Sequence, residues 1–238
     1  MTALLTVHGL SKSFGALRVT ENVSFEVNEG EILGVIGPNG AGKTTLFGLL
    51  AGNLTPSQGR IGFAGEDISL LAPHERARRG IGRTYQVPRP FTHMSVADNL
   101  RVAARFGGAM SEQEARSWTG KVMAMTGLRT EANTLAGRLP LLLRKRHELA
   151  RALAIRPRLL LIDEVAAGLT DQEVNQFIEL VFAIRRSGVT IVWIEHVMKT
   201  MLTATDRLIA LQSGRILAVG PAQEVINRPE VRKVYLGA

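Results

Sequence analysis

The sequence predicts an α/β fold whose core is a mostly parallel sheet covered by helices. Short apolar runs, typical of buried strands, occupy residues 31–37, 158–163 and 189–196. Helical patterns alternate with these runs, and the region 87–156 is mainly helical in pattern. We therefore expect one domain over residues 1–238, with an antiparallel β subdomain at its N-terminus and an inserted α-helical subdomain at 87–156.

The N-terminal part is expected to consist mainly of strands. Strands are predicted over residues 4–10 and 23–27, and a hairpin over 60–68 is predicted to turn at Ala64-Gly65-Glu66. A helix is predicted at 43–51, directly after the first buried strand.

Capping residues mark two helices in the middle of the chain. Ser95 opens a helical pattern over 95–106, and serine is a preferred N-cap. Ser111 and Glu114 have the spacing of a capping box at the start of a second pattern. Farther along, a helix is predicted at 171–188, and a hairpin at 207–220 is predicted to turn at Ser213-Gly214.

Composition excludes several classes of protein. The absence of cysteine excludes disulfides and thiolate metal sites, and the longest apolar runs, such as 159–162, are too short to span a bilayer. The N-terminus lacks the basic and apolar regions of a signal peptide. The net charge is +8, but aromatic residues make up only 5%, which disfavours base stacking. Basic residues are therefore expected to solvate helix faces, among them Arg76, Arg78, Arg79 and Arg83.

A glycine-rich stretch between the first buried strand and the helix fits the pattern G-x-x-x-x-G-K-[ST]. Its glycines let backbone N–H groups converge on phosphate oxygens, and the helix N-terminus adds positive potential. Lys43 is expected to reach the β- and γ-phosphates, and Thr44 to offer its hydroxyl to Mg²⁺. The expected nucleotide-binding residues are Gly37, Pro38, Asn39, Gly40, Ala41, Gly42, Lys43, Thr44 and Thr45.

Two acidic residues end the second buried strand. Asp163 is expected to hold Mg²⁺ through its water shell, and Glu164 to polarise an attacking water. Taken alone, the pair is also compatible with a strand end that carries two solvated acids. Two further residues, His196 after the third buried strand and Gln86 before a proline-rich segment, are uninformative alone.

Together and in this order, these residues resemble the nucleotide-binding subunit of ABC transporters, over essentially the whole chain. The resemblance implies a P-loop NTPase that binds ATP with Mg²⁺. It also implies that Phe14 stacks on adenine, that Gln86 approaches Mg²⁺ and the γ-phosphate, and that His196 contacts the γ-phosphate. The implied catalytic residues are Glu164, His196, Gln86 and Lys43, and the implied metal ligands are Thr44, Gln86 and Asp163.

Within this family, residues 80–104, 193–199 and 228–238 look most like the branched-chain amino-acid uptake branch. In that branch two different ATPase subunits usually pair, and they serve two transmembrane permease subunits and an external substrate-binding protein. The resemblance therefore implies a peripheral protein at the cytoplasmic face of the inner membrane, with no nucleic-acid partner. The 87–94 loop, with Phe91 and Met94, is expected to receive a short helix from a membrane subunit, unless these two residues are buried.

One motif departs from the family pattern. An ungapped alignment over 139–153 places Pro140, Leu142 and Leu143 where the family signature, typically LSGGQ, has serine, glycine and glutamine. Proline is tolerated at the N1 position of a helix, so the fold survives while a contact to the γ-phosphate is weakened. A gapped alternative would use Ala136-Gly137 instead.

Two smaller departures accompany the altered signature, at Val165 and at Thr170-Asp171.

In this family ATP lies between the phosphate loop of one subunit and the signature of the other. One interpretation is therefore a heterodimer with two unlike sites, in which this chain is an ATPase. The alternatives are a regulatory, largely hydrolysis-deficient subunit and drift in a broken copy. A nucleic-acid-acting member of the family is disfavoured, because the chain has neither a second ATPase domain nor a coiled-coil insertion.

Overall fold

The computed structural model describes residues 3–236, which divide into two compact units. The first unit comprises the chain up to Arg76 and from Thr190 onward, and the second unit comprises Ala77–Val189. The four terminal residues of the predicted domain 1–238, including the end of the stretch 228–238, lie outside the described residues.

The helices and strands follow one another in chain order. The N-terminal elements are β1 (Ala3–Phe14), β2 (Leu17–Asn28), β3 (Ile32–Ile36), α1 (Lys43–Leu50), β4 (Gln58–Phe63), β5 (Glu66–Asp67) and α2 (Pro73–Arg78). The middle elements are β6 (Ile81–Arg83), α3 (Val96–Val102), α4 (Glu112–Met125), α5 (Leu141–Ala154), β7 (Leu159–Asp163) and α6 (Asp171–Arg186). The C-terminal elements are β8 (Thr190–Ile194), α7 (Met198–Ala204), β9 (Arg207–Gln212), β10 (Arg215–Pro221), α8 (Ala222–Asn227) and α9 (Pro229–Leu236).

The first unit contains an antiparallel sheet in the order β2-β1-β4-β5. The predicted hairpin turn is confirmed, since Ala64 and Gly65 have φ values of 51° and 85° and connect β4 to β5. β1 and β2 are longer than the apolar pattern predicts, at 12 residues each. Their outer residues are partly exposed and polar, so hydrogen bonding continues where the apolar pattern has ended.

The first unit also contains strands in the order β10-β9-β3-β8. β3 pairs in parallel with both β8 and β9, and β9 and β10 form the predicted antiparallel hairpin at Ser213-Gly214. All residues of β3 and β8 are buried, as their continuous apolar sequences predict. Because β3 and β8 run in the same direction, the segments that follow them emerge at the same edge of the sheet.

The second unit contains the parallel pair β6–β7 and the helices α3 to α6. Both predicted caps are confirmed: Ser95 accepts a hydrogen bond from the N–H of Asp98, and Ser111 and Glu114 form a capping box. A π-helix at Ala103–Gly107 continues α3, and a 3₁₀ helix at Ala136–Arg138 precedes α5. The predicted α/β fold with a helical middle is therefore confirmed, whereas the limits 87–156 of a separate subdomain stay a prediction. Between Ala3 and Leu236, none of the helices combines the length and apolar character needed to cross a membrane.

Arg76 corrects one expectation from the sequence. Its side chain does not solvate a helix face; only 1% of the residue is exposed. The guanidinium donates hydrogen bonds to four backbone carbonyls, those of Leu49, Leu50, Ser69 and Leu71. Burial lowers the pKa of Arg76 to about 10, so the group stays charged at neutral pH. By contrast, Arg78 and Arg79 are exposed as predicted.

Candidate functional site

The phosphate loop connects β3 to α1 through a backbone that requires glycine. Gly40 and Gly42 have φ values of 80° and 99°, in the left-handed region that glycine adopts without a steric penalty. A Cβ atom at Gly42 would lie 2.7 Å from the carbonyl oxygen of Val19, and one at Gly37 would lie 2.7 Å from that of Leu211. The loop is therefore packed so closely that larger residues would displace it.

Lys43 fixes the loop from inside. The residue is 5% exposed, and its Nζ donates hydrogen bonds to the carbonyl oxygens of Gly37 at 2.7 Å and Pro38 at 3.2 Å. Thr44, the next residue in the first turn of α1, is exposed. A glycine cradle, a helix N-terminus, a lysine and a hydroxyl are the groups that bind nucleotide phosphates with Mg²⁺, so the residues fit the predicted ligand.

The turn between β9 and β10 supports the phosphate loop. The N–H of Gly214 donates to the carbonyl of Ala41 at 3.1 Å, and the N–H of Glu21 donates to the carbonyl of Gly214 at 2.8 Å. A Cβ atom at Gly214 would lie 2.4 Å from the carbonyl oxygen of Val19. The sequence signalled a Ser-Gly turn but carried no signal for this contact, because the partners are more than 170 positions apart.

Two more predicted residues lie in the first unit. His196 follows β8, at the sheet edge from which the phosphate loop also emerges, and its side chain is exposed. Its N–H donates to the Glu195 carboxylate at 3.3 Å. Phe14 ends β1, is 47% exposed, and has the Nζ of Lys12 at 5.1 Å from its ring centroid. The roles predicted for Phe14 and His196 stay predictions.

In the second unit, the end of β7 presents the two predicted acids. Asp163 is 3% exposed and Glu164 is 7% exposed. Glu164 has a φ of 45°, which is uncommon for a residue other than glycine. The Gln86 side-chain amide donates a short hydrogen bond to the Glu164 carboxylate. The structure thus brings together three residues that the sequence placed in one site.

Arg83 belongs to the site, although the sequence pattern does not indicate it. Instead of solvating a helix face, it ends the three-residue strand β6 and forms an ion pair with Asp163 at 3.3 Å. The adjacent Thr84 accepts a hydrogen bond from the backbone N–H of Asp163 at 3.0 Å. Both contacts hold the Asp163 segment in place from β6. The only signal in the sequence was a short apolar-glycine-arginine run, which is too brief to identify a strand.

The altered signature lies at the start of α5. Pro140 is the N-cap residue, with φ −64° and ψ 165°, so the expectation that it occupies N1 is wrong by one position. Its side chain cannot accept a hydrogen bond, and no side-chain cap from any described residue replaces it. Leu141 is 46% exposed, and Leu142 and Leu143 are partly buried. Whether this segment contacts nucleotide stays a prediction.

The buried face of α5 carries charged and titratable side chains. Lys145 is 5% exposed, and its Nζ donates to the carbonyl oxygens of Val165 and Ala167, so it secures the segment that follows Glu164. His147 is fully buried, and burial lowers its pKa to about 4. The helix is therefore more than an apolar packing element.

A glycine-rich phosphate loop between a buried strand and a helix defines the chain as a P-loop nucleotide-binding protein. Comparison with known proteins gives the family. A family model described as ABC transporter matches residues 20–167, and the chain belongs to this family. It is an ABC-type ATPase, the ATP-binding subunit of a transporter.

Several relatives match nearly the whole chain. The high-affinity branched-chain amino acid transport ATP-binding proteins BraF of Pseudomonas aeruginosa and LivG of Salmonella typhimurium are 36% and 37% identical, each over 98% of both chains. The lipopolysaccharide export system ATP-binding protein LptB of Haemophilus influenzae is 34% identical over 99% of this chain and 98% of its own. The similarity therefore spans two kinds of transport system.

Solved structures agree with this family assignment. The ADP conformation of an ATP-binding cassette of an ABC transporter superposes with a TM-score of 0.92, at 29% identity and with both chains fully covered. A nucleotide-free cassette from an ABC transporter superposes with a TM-score of 0.91, also at 29% identity and full coverage. The expected α/β P-loop fold is thereby confirmed.

Proposed function

We propose that this chain hydrolyses ATP to energise a membrane transporter that imports an amino acid of the branched-chain type. One observation carries the hydrolytic part of the proposal: the Gln86 amide binds the Glu164 carboxylate directly beside Asp163. The import part is supported by the similarity to BraF and LivG over 98% of each chain. It is also supported by the segments 80–104 and 193–199, which look like that branch.

The residues divide the chemistry of phosphoryl transfer among themselves. Lys43 and the backbone N–H groups of the phosphate loop would hold the phosphates, and Thr44, Gln86 and Asp163 would hold Mg²⁺. Mg²⁺, when bound, neutralises charge on the phosphate oxygens. Glu164 accepts a hydrogen bond from the attacking water and orients it, and Gln86 and His196 contact the γ-phosphate region.

Membrane partners follow from the same proposal. The chain pairs with a second ATP-binding subunit and serves two transmembrane permease subunits at the cytoplasmic face of the inner membrane, supplied by an external substrate-binding protein. Of the two residues on which the prediction for the 87–94 loop is based, Phe91 is 48% exposed and supports it, whereas Met94 is partly buried. Val87, in the same loop, is 69% exposed. A short helix of a permease subunit would cover Val87 and Phe91.

The test combines copurification with transport. The tagged chain is isolated from its native membranes, its partners are identified by mass spectrometry, and the complex is reconstituted into liposomes. We expect permease subunits to copurify and leucine, isoleucine or valine with the binding protein to stimulate ATP hydrolysis. A complex that responds to lipopolysaccharide instead, as the name of the LptB relative suggests, would overturn the amino-acid part and keep the ATPase part.

A second candidate is that the chain is the asymmetric, largely hydrolysis-deficient half of a heterodimer. The observation that favours it is the N-terminus of α5, where Pro140 offers no hydroxyl and Leu141 projects a half-exposed side chain. Losing donors aimed at developing phosphate charge reduces turnover by about 10²–10³-fold. Turnover of the isolated chain, compared with turnover of the complete complex, separates the two candidates.

A further inference from the structure

The segment 85–91, here called the glutamine loop, is held at its backbone by α5. Glu148, in the middle of α5, is 4% exposed. The backbone N–H groups of Tyr85 and Arg89 lower the pKa of its carboxylate, and the Arg151 guanidinium binds it at 3.1 Å. The buried carboxylate therefore holds Arg151, and Arg151 directly contacts the loop that carries Gln86.

Arg151 lies almost one helical turn farther along α5. Its guanidinium binds a backbone carbonyl of the same loop. Its Nη1 donates to the carbonyl oxygen of Arg89 at 2.6 Å and to the Glu148 carboxylate at 3.1 Å. Its guanidinium also lies 5.4 Å from the centroid of the Phe91 ring. The loop backbone is therefore bound at the carbonyl of Arg89 by a guanidinium that the Glu148 carboxylate holds in place.

Glu148 and Arg151 carry opposite charges, and their pairing offsets the free-energy cost of burying these charges. Burial raises the pKa of Glu148, whereas Arg151 and the two backbone N–H groups lower it. A buried carboxylate without such partners would be strongly destabilising. Removing the Glu148 carboxylate would in turn leave Arg151 without its partner, so the carbonyl of Arg89 would no longer be held in one position.

We propose that Glu148 and Arg151 are positioning residues of the ATPase: they set the place of the glutamine loop and thereby hold the Gln86 amide on the Glu164 carboxylate. This inference rests on the proposed function, in which Gln86 and Glu164 serve hydrolysis. Neither Glu148 nor Arg151 contacts Glu164 in this scheme, and both act through the loop backbone.

The first test measures the loop itself by amide hydrogen exchange of the full chain. In Glu148→Ala, we expect the amide of Phe91, which donates to Asn99 at 2.8 Å, to exchange at least tenfold faster, while the amides of α5 keep their protection. Glu148→Gln retains one acceptor oxygen and should give an intermediate rate. Glu179→Ala, which changes an exposed glutamate on α6, is the matched control and should leave the loop unchanged.

Unchanged protection of the Phe91 amide in Glu148→Ala would overturn the inference. Equal loss of protection across α5 and β7 would also overturn it, because Glu148 would then stabilise the fold in general and would not act on the loop in particular. This measurement requires no turnover and no cargo, so its outcome is independent of whether the proposed function is right. If Glu148→Ala does not fold, Glu148→Gln and Arg151→Lys decide by the same criterion.

The second test uses steady-state hydrolysis by the complex purified with its partners. Because the phosphate loop is untouched, we expect Glu148→Ala and Arg151→Ala to lower kcat by about 10- to 100-fold and to leave KM for ATP within about twofold. The double variant should be scarcely worse than either single one, since both act on one loop. A raised KM with normal kcat, or additive losses, would contradict the proposal.

Discussion

At the scale of single residues, Glu164 combines a buried carboxylate with a strained backbone. Its φ of 45° is a conformation that costs non-glycine residues on the order of 1–3 kcal/mol. The Gln86 amide and the buried strand β7 hold it there. Strain of this kind persists where the surroundings enforce it, often at functional sites, which agrees with a role in hydrolysis.

Lys43→Ala should strongly reduce ATP binding, because the main positive charge facing the phosphates is lost. A hydrogen bond to a charged group contributes about 1.5–3 kcal/mol, so we expect affinity to fall by about 10- to 150-fold in titration calorimetry. Thermal melting should confirm folding, since Gly37 and Pro38 lose a hydrogen-bond donor. Lys121→Ala, on the exposed side of α4, is the control. Unchanged affinity in Lys43→Ala would contradict the phosphate-loop assignment.

Glu164→Gln should leave ATP binding intact and slow hydrolysis, because a neutral amide orients water less effectively than a carboxylate. Nucleotide affinity and phosphate release are measured on the same preparation of the complex. Glu179→Gln, a solvent-exposed change on α6, should behave like the unaltered chain. Native turnover in Glu164→Gln would mean that another group activates the water.

The candidate site could be predicted in part because its residues lie in consecutive motifs or directly at strand ends. Asp163, Glu164 and the phosphate loop are of this kind. Arg83 and Arg76 were misassigned because their roles depend on partners that distant segments supply: Asp163 for the first, and the carbonyls around Leu49 and Ser69 for the second. Side-chain type and local pattern carry no information about such partners.

At the scale of elements, the predictable features were those with a local cause. Each hairpin turn and each helix cap depends only on residues within about four positions of one another, so the local sequence was enough to predict it. This holds for the Ser-Gly and Ala-Gly turns and for the caps at Ser95 and Ser111. Short elements such as β6 and α2 were not predicted, because three to six residues give no clear periodicity. The N-cap position of Pro140 also differed from expectation, since helix boundaries are uncertain by one or two residues.

The start of α5 gives a prediction about dimer formation. Glu164→Gln alone should not form a tight homodimer with ATP, because both sites would contain Pro140 and Leu142 in place of serine and glycine. Adding Pro140→Ser, Leu142→Gly and Leu143→Gln should promote ATP-dependent dimers in light scattering. Serine restores an N-cap that is worth about 1 kcal/mol, and glycine removes a similar amount from the helix.

Pro140→Ser alone is the control for this experiment. It supplies the N-cap but retains Leu142, so the backbone at position 142 cannot approach phosphate more closely. It should stabilise α5 and leave the chain monomeric. A tight ATP-dependent homodimer of Glu164→Gln with the altered signature intact would contradict the hypothesis of unlike sites.

At the scale of the whole molecule, His147 should make stability depend on pH. Neither ring nitrogen has a hydrogen-bond partner among residues 3–236, and the folded pKa of about 4 lies below the ordinary 6.5. The unfolded chain therefore takes up the proton first, and stability falls as pH decreases from about 6.5 to about 4. The total loss is at most about 3 kcal/mol. Glu148, with its raised pKa, acts in the opposite sense.

His147→Leu removes this titration and should stabilise the fold. In urea unfolding at pH 7, 6 and 5, we expect the difference in unfolding free energy between His147→Leu and the unaltered chain to grow as pH falls. Because both chains retain Glu148, its contribution largely cancels in the difference. His74→Leu, which changes an exposed histidine on α2, should show no such trend. A difference that is constant with pH would contradict a buried neutral His147.

The contact between Gly214 and the phosphate loop affects when, during synthesis, the chain can form its nucleotide site. A nascent chain that has emerged from the ribosome as far as residue 200 already contains the full G-x-x-x-x-G-K-[ST] sequence. It still lacks β9, which pairs with β3, and the turn that donates a hydrogen bond to Ala41. Domains fold as units once their parts are available. The phosphate loop is therefore completed by a segment that is made more than 170 residues later, and chains terminated before that segment would carry the motif without a formed nucleotide site.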